Sequence, residues 1–369
     1  MKNKLRYFLT GKSAESFFSS AMAIVVGLIF GFLILLISNP AQAGEGFFSI
    51  LTGGFTGGTA GISPKAMGMV LYYATPIIMT GLSVGFAFKT GIFNIGASGQ
   101  FITGAFAAVY VCAKYVEVFG AWTWVVALFA AAVVGGLWAL IPGLLNAYRN
   151  VNIVISCIVT NYIGMYLINQ LVRTTVYDSL KNQSVALDKI TYIPKLGLDQ
   201  VFSGAAVNAG ILIALVLSVV MYIVINKTTF GFELKACGYN RDASRYAGIN
   251  EKRSIVFSMV IAGALAGIGG GLLYLAGSGK HINVVEELAA EGFTGIPVAL
   301  LGLSNPIGVF FAGLFVAYIM AGGFYMQLFG FVPEIIDMII AVIIYFSAFA
   351  LLFRGVFKKI FKRRGGDDL

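Results

Sequence analysis

The side chains in this sequence that can do polar chemistry inside an oily setting gather in a few places. In FNIGASGQ, residues 93–100, Phe93, Asn94, Ser98 and Gln100 bring an aromatic face, two amides and a hydroxyl into eight positions. Glycines at 91, 96 and 99 loosen the backbone around them. This set can hydrogen-bond a neutral polar group and stack on a flat one. It carries no ionisable side chain. A weaker echo is Phe293-Thr294-Gly295 in EGFTGIP, again an aromatic, a polar residue and a close glycine.

Other chemistries lack their parts. His281 is the only histidine, so neither a histidine-rich metal site nor a Ser/His/Asp arrangement is expected. Cys112, Cys157 and Cys237 show no metal-ligand spacing and read as small packing residues. AGSGKH at 276–281 has the look of a phosphate loop. The full motif, however, needs glycine where Tyr274 stands and a hydroxyl where His281 stands. No cofactor, no metal and no catalytic activity are expected of this chain.

The elements that must position these residues are membrane helices. Hydrophobic residues make up 59% of the 369 and charged residues 11%; mean hydropathy is +0.88. A soluble domain is about half apolar and a quarter charged. The apolar runs approach the roughly 20 residues needed to cross a bilayer, where a barrel would show short alternating strands. The expected fold is all-α: a polytopic transmembrane bundle of about ten helices, read as one domain over 1–369. The runs are 21–38, 66–88, 95–113, 122–145, 153–171, 207–225, 254–276, 288–303, 307–323 and 335–353.

The net charge of +9 sits in three clusters. Lys2, Lys4, Arg6 and Lys12 precede the first run, and Arg354, Lys358, Lys359, Lys362, Arg363 and Arg364 follow the last. Lys227, Lys235, Arg241, Arg245, Lys252 and Arg253 fill one interior loop. Clusters that flank spans follow the positive-inside rule and face a phospholipid surface, not nucleic acid. Crossing parity then gives cytoplasmic segments at 1–20, 226–253 and 354–369, with both termini inside. The acidic segment at Glu286, Glu287 and Glu291 falls outside. The first run with AQA at 41–43 resembles a secretory signal, but it is long enough to span and is expected to stay as the first helix.

Two runs are irregular. The one at 95–113 begins in the glycine-rich stretch, and the one at 288–303 is short and interrupted by Gly295 and Pro297. Gly/Pro-interrupted segments at corresponding places in two halves point to a transporter's central site. The expectation is two pseudo-repeated halves with broken or short helices near the centre. Gly263, Gly267 and Gly271 recur every four residues and read as a close-packing helix face.

The loop from Asn226 to Ser254 carries six basic and three acidic residues around a short helix candidate. Asp242 can cap it, with Ala243 and Ala247 on one face, Tyr246 packed nearby, and a stop at Gly248. By composition alone it serves equally as a solvated connector or as a docking helix for a soluble partner.

Together these segments carry a resemblance. GFELKACGYNRDASRYAGIN followed by SMVIAGALAGIGGG resembles the coupling segment of permeases in the branched-chain amino acid/ribose class of ATP-binding cassette importers. GIFNIGASGQF is similar to the FNIG-x-EGQ signature of the nucleoside-transporting branch, with Ser98 where that branch carries Glu. GFTGIPVALLGLSNPIGVFFAGLF is similar to its C-terminal half. The likeness runs roughly over 71–353.

The resemblance implies a plasma-membrane permease subunit without ATPase activity. It implies three protein partners: a cytoplasmic ATPase, a second and different permease chain, and an extracytoplasmic binding lipoprotein. It also implies that Asn240, Arg241, Ala243, Arg245, Tyr246, Ala247 and Gly248 meet the ATPase, and that the substrate is a nucleoside. A nucleoside's flat base and hydroxyls suit Phe93, Asn94, Ser98 and Gln100, with Phe293 and Thr294 opposite. The alternatives are a sugar or branched-chain amino acid permease, or a self-contained secondary transporter or channel. Against the last, the spans hold few charges beyond Glu334 and Asp337, whereas ion-coupled carriers place charges within spans.

Overall fold

The computed structural model describes residues 12–59 and 61–348. The basic clusters at Lys2, Lys4 and Arg6 and at 354–369, and the end of the 335–353 run, lie outside them. Helices α1 (Lys12–Ser38), α2 (Ala43–Thr56), α3 (Pro64–Lys89), α4 (Ala97–Lys114) and the short α5 (Val116–Phe119) come first. Then follow α6 (Thr123–Arg149), α7 (Ile153–Thr175), α8 (Leu198–Val201), α9 (Gly210–Lys227), α10 (Thr229–Tyr239) and α11 (Arg241–Tyr246). The last are α12 (Glu251–Tyr274), α13 (Ala290–Leu301), α14 (Pro306–Met326) and α15 (Pro333–Ala348). Two strands, β1 (Tyr177–Asp178) and β2 (Gln183–Ser184), pair antiparallel with Tyr177 opposite Ser184.

Each of the ten apolar runs contains a helix. The one long element the runs did not include is α2, whose glycines at 44, 46, 53 and 54 dilute its apolar character. Six segments among the described residues are long and apolar enough to span a membrane: α3, Val116–Arg149, α7, α9, α12 and Pro306–Phe329. The two irregular runs are not among them. Helix α13 has 12 residues, about 18 Å of rise against the roughly 30 Å of a hydrocarbon core.

Local chemistry sets the helix ends. The Ser63 hydroxyl accepts from the Ala66 N–H at 3.3 Å, with Pro64 as the first helical residue of α3. The Asn152 side chain accepts from the Val154 N–H at 2.9 Å to open α7, and Asn150 closes α6 in a left-handed conformation, φ 53°.

The chain forms two compact units, one of Met1–Gly61 with Ile319–Leu369 and one of Ile62–Tyr318. In the first, α15 lies along α1, with Gly27 and Gly31 directly against Ile343 and Ile339. In the second, α12 is central and packs on α6, α4 and α3. The Gly263–Gly267–Gly271 face is the seam. A Cβ on Gly263 would lie 2.3 Å from the Gly135 carbonyl oxygen, and one on Gly267 would lie 2.2 Å from that of Ala131. Backbones meet there without intervening side chains, as small-residue faces allow. The candidate residues all belong to this second unit.

Candidate functional site

Helix α3 ends at Lys89, and regular structure resumes only at Ala97. Gly91, at φ +70°, turns the chain, and Ile92 is fully buried. The polar residues of the gap then close on one another. The Asn94 amide nitrogen donates to Gln100 Oε1 at 2.9 Å, and Gln100 Nε2 donates back to Asn94 Oδ1 at 3.0 Å. Asn94 Oδ1 also accepts from the Gly96 N–H at 3.1 Å. Both side chains are buried. In an apolar interior this reciprocal pair satisfies donors and acceptors that would otherwise cost about 1–3 kcal/mol each.

Two further backbone groups beside the gap are met by Asn161 of α7. Its Oδ1 accepts from the Gly99 N–H at 2.9 Å, and its Nδ2 donates to the Ile95 carbonyl at 3.0 Å. Irregular backbone at membrane depth needs such partners. Sequence reasoning passed over Asn161. Its signal was an amide in the middle of an otherwise apolar helix, CIVTNYIG.

Ser98 faces another way. Its hydroxyl donates to the Ala289 carbonyl at 2.9 Å, just before α13 begins. Gly292 allows the approach, since a Cβ there would sit 2.3 Å from Ser98 Cα. The starts of α4 and α13 are thus brought together, and Ser98 lines a small cavity with Asn169, Asn283 and Glu287. Phe93 is 37% exposed and stacks parallel on Phe88, centroids 5.3 Å apart. Phe293 is partly buried on α13, and the Thr294 hydroxyl donates to the Glu291 carbonyl at 2.8 Å within its own helix. The two echoed motifs differ in backbone: 93–96 is irregular, whereas Phe293, Thr294 and Gly295 are helical.

The basic loop folds as two helices, α10 and α11. The expected short helix is present, but its cap is Asn240, whose Oδ1 accepts from the Ala243 N–H at 2.9 Å. Asp242 lies inside the first turn instead. Asn240 has the extended backbone that a capping residue needs, φ −159° and ψ 112°. Arg241, Ala243, Arg245, Tyr246, Ala247 and Gly248 are all exposed, so Tyr246, at 95%, is not packed beside the alanines. Ser244 is the buried residue, and its hydroxyl meets the Cys237 thiol at 3.4 Å. Gly248 closes the segment at φ +81°.

This helical pair touches the gap directly. Gly238 of α10 lies against the turn after α3, where a Cβ would come 2.3 Å from the Lys89 carbonyl oxygen and 3.0 Å from the Gly91 nitrogen. The same turn is fixed from α12 by a 2.7 Å hydrogen bond from the Thr90 hydroxyl to that of Ser258.

Among the described residues no group of three or more His, Cys, Asp or Glu can hold a metal. The arrangement offers neutral hydrogen bonding around an interrupted helix, with an exposed helical segment in contact with the interruption. That combination defines a multispanning α-helical membrane protein whose irregular segments are braced within its bundle. Comparison gives the family. The family described as branched-chain amino acid transport system / permease component matches residues 66–348. The chain is 36% identical over 352 residues to the guanosine ABC transporter permease protein NupP of Bacillus subtilis, covering 94% of this chain and 97% of the relative. It is 35% identical over 341 residues to the nucleoside ABC transporter permease protein NupB of Lactococcus lactis, 89% of each. It is also 34% identical over 307 residues to the glucose ABC transporter permease protein TsgB13 of Haloferax volcanii, covering 81% and 80%. No solved structure matches. The chain belongs to the permease-component family of branched-chain amino acid transport systems.

Proposed function

We propose that this chain is the membrane-spanning subunit of an ATP-binding cassette importer that carries nucleosides by alternating access. The observation that carries the reading is 35–36% identity, over nearly the whole length, to permeases named for guanosine and nucleoside transport. The neutral chemistry at the gap supports it, because a nucleoside has no permanent charge and asks for amides, hydroxyls and an aromatic face. Ser98 serves that need as a hydrogen-bonding group at a cavity wall.

In this reading the chain hydrolyses nothing itself. A separate ATPase seats against α11 through Asn240, Arg241, Ala243, Arg245, Tyr246, Ala247 and Gly248, which the exposure of Tyr239 and Tyr246 supports. A second, different permease chain completes the path, and a binding lipoprotein delivers substrate from outside. Both termini face the cytoplasm of the cell that carries the protein in its plasma membrane. Phe93, Asn94, Gln100, Phe293 and Thr294 belong to the substrate path: Phe93 through its exposed ring, and Asn94 and Gln100 by holding the gap in shape.

Purification in mild detergent from native membranes tests this. An ATP-binding chain that stays bound, with hydrolysis stimulated by guanosine, supports it; a chain that purifies alone and still transports refutes it. The likeness to TsgB13 favours glucose as the second reading, and glucose-stimulated hydrolysis would select it.

A further inference from the structure

The segment between α12 and α13 walls a cavity of about 500 Å³, inside the roughly 300–1,000 Å³ range of small-molecule sites. Lys280, Asn283 and Glu287 line it from that segment, Glu291 from the first turn of α13, Gln183 from β2, and Tyr274 from the last turn of α12. Asn283 and Glu287 also line the smaller cavity that Ser98 borders, so the two share a wall.

Most polar groups nearby are already committed. The Tyr72 hydroxyl donates to Ser278 Oγ at 2.9 Å, Asn169 to the Val285 carbonyl at 2.7 Å and Asn182 to the Val284 carbonyl at 3.0 Å. Lys280 is paired with Glu291. Five cavity-lining side chains stand apart. The Tyr274 hydroxyl, the His281 imidazole, the Asn283 and Gln183 amides and the Glu287 carboxylate make no side-chain hydrogen bond among the described residues; Tyr274, His281 and Gln183 are half-buried, Asn283 and Glu287 exposed. An open concavity of this size, lined by a phenol, a carboxylate and amides not spent on other side chains, has the make-up of a small-molecule site.

We propose that this cavity is a holding site for the ribose of a nucleoside on its way to the gap at 90–96, an inference that rests on the nucleoside reading above. A vicinal diol donates two nearly parallel O–H bonds, and a carboxylate accepts two, so Glu287 takes the 2′ and 3′ hydroxyls. Tyr274 and the amides of Asn283 and Gln183 satisfy the remaining oxygens. Lys280 neutralises Glu291, leaving one free carboxylate, which disfavours a phosphate. The site therefore takes nucleosides and turns away nucleotides.

Initial uptake of guanosine and of 2′,3′-dideoxyguanosine is measured with the complete complex in liposomes, for wild type, Glu287→Gln and Tyr274→Phe. The binding lipoprotein is the same in every arm, so its own preference cancels when variants are compared with wild type. In Glu287→Gln the KM for guanosine should rise about ten-fold, the loss of a hydrogen bond to a charged acceptor. That for the dideoxy compound should stay within about two-fold, because it never made the bond. Tyr274→Phe should raise the KM of both compounds alike, because both keep the ring oxygen and 5′ hydroxyl that Tyr274 meets. Equal changes for both ligands in Glu287→Gln, or no change in either variant, would overturn the inference. Failure of the nucleoside reading looks different: wild type then takes up neither compound.

Discussion

Replacing Gly238 with alanine puts a methyl carbon 2.3 Å from the Lys89 carbonyl oxygen, 3.1 Å from its carbonyl carbon and 3.0 Å from the Gly91 nitrogen. Every atom it meets is backbone, so no side chain can rotate away. Restoring ordinary contact needs a retreat of about 1 Å between α10 and the turn that follows α3. Overpacking of this kind costs roughly 1–3 kcal/mol, and the better helix propensity of alanine offsets up to about 1 kcal/mol. Thermal stability should therefore fall by up to about 3 kcal/mol, and the contact between α10, proposed to couple to the ATPase through α11, and the interrupted helix is displaced. A coupling term of about 1–3 kcal/mol corresponds to a 5–150-fold change. The ratio of guanosine imported to ATP hydrolysed should fall within that span in liposomes holding the complete complex. Gly44→Ala is the control, since a Cβ there meets nothing within 4 Å. If Gly238→Ala assembles normally and keeps the wild-type ratio, the contact does not carry coupling and the reasoning fails.

Three further outcomes are expected. Asn94→Ala strands the buried Gln100 amide and should destabilise the chain by about 1–3 kcal/mol, with part of the loss recovered in Asn94→Ala/Gln100→Leu. Thermal unfolding in detergent reads this double-mutant cycle, and strictly additive losses would mean that the pair does not interact. Gly248→Val forces a branched residue into φ +81° at about 1–2 kcal/mol. It should lower guanosine-stimulated ATP hydrolysis while the chain still reaches the membrane; unchanged stimulation would make the loop a plain connector. Single cysteines at Lys181 and Arg241 should label from opposite faces of sealed cells, outside and inside respectively, and labelling of both from outside would overturn the topology.

The helices were legible because apolar runs of bilayer length have few other uses, and the gap was legible because glycine and amides interrupt one of them. What the sequence did not disclose was pairing. Asn94 and Gln100 are six residues apart across an irregular turn, a separation that no helical or strand period brings together. Asn161 arrives from another helix 61 residues beyond Gln100, and the Gly238 contact joins segments far apart in sequence. The cap of α11 was assigned to Asp242 because aspartate and asparagine serve equally as caps, and only the backbone angles of Asn240 decide between them. Helix α2 escaped notice because its glycines break the apolar pattern that marks the other elements.

Uptake into liposomes is the direct test of transport. With the complete complex, internal ATP and the binding lipoprotein outside, labelled guanosine should accumulate. Excess unlabelled nucleoside should abolish the signal, and excess glucose or leucine should leave it unchanged. Accumulation of glucose or leucine in place of guanosine, or accumulation of guanosine without ATP and its ATPase, would contradict a nucleoside-carrying, ATP-driven permease.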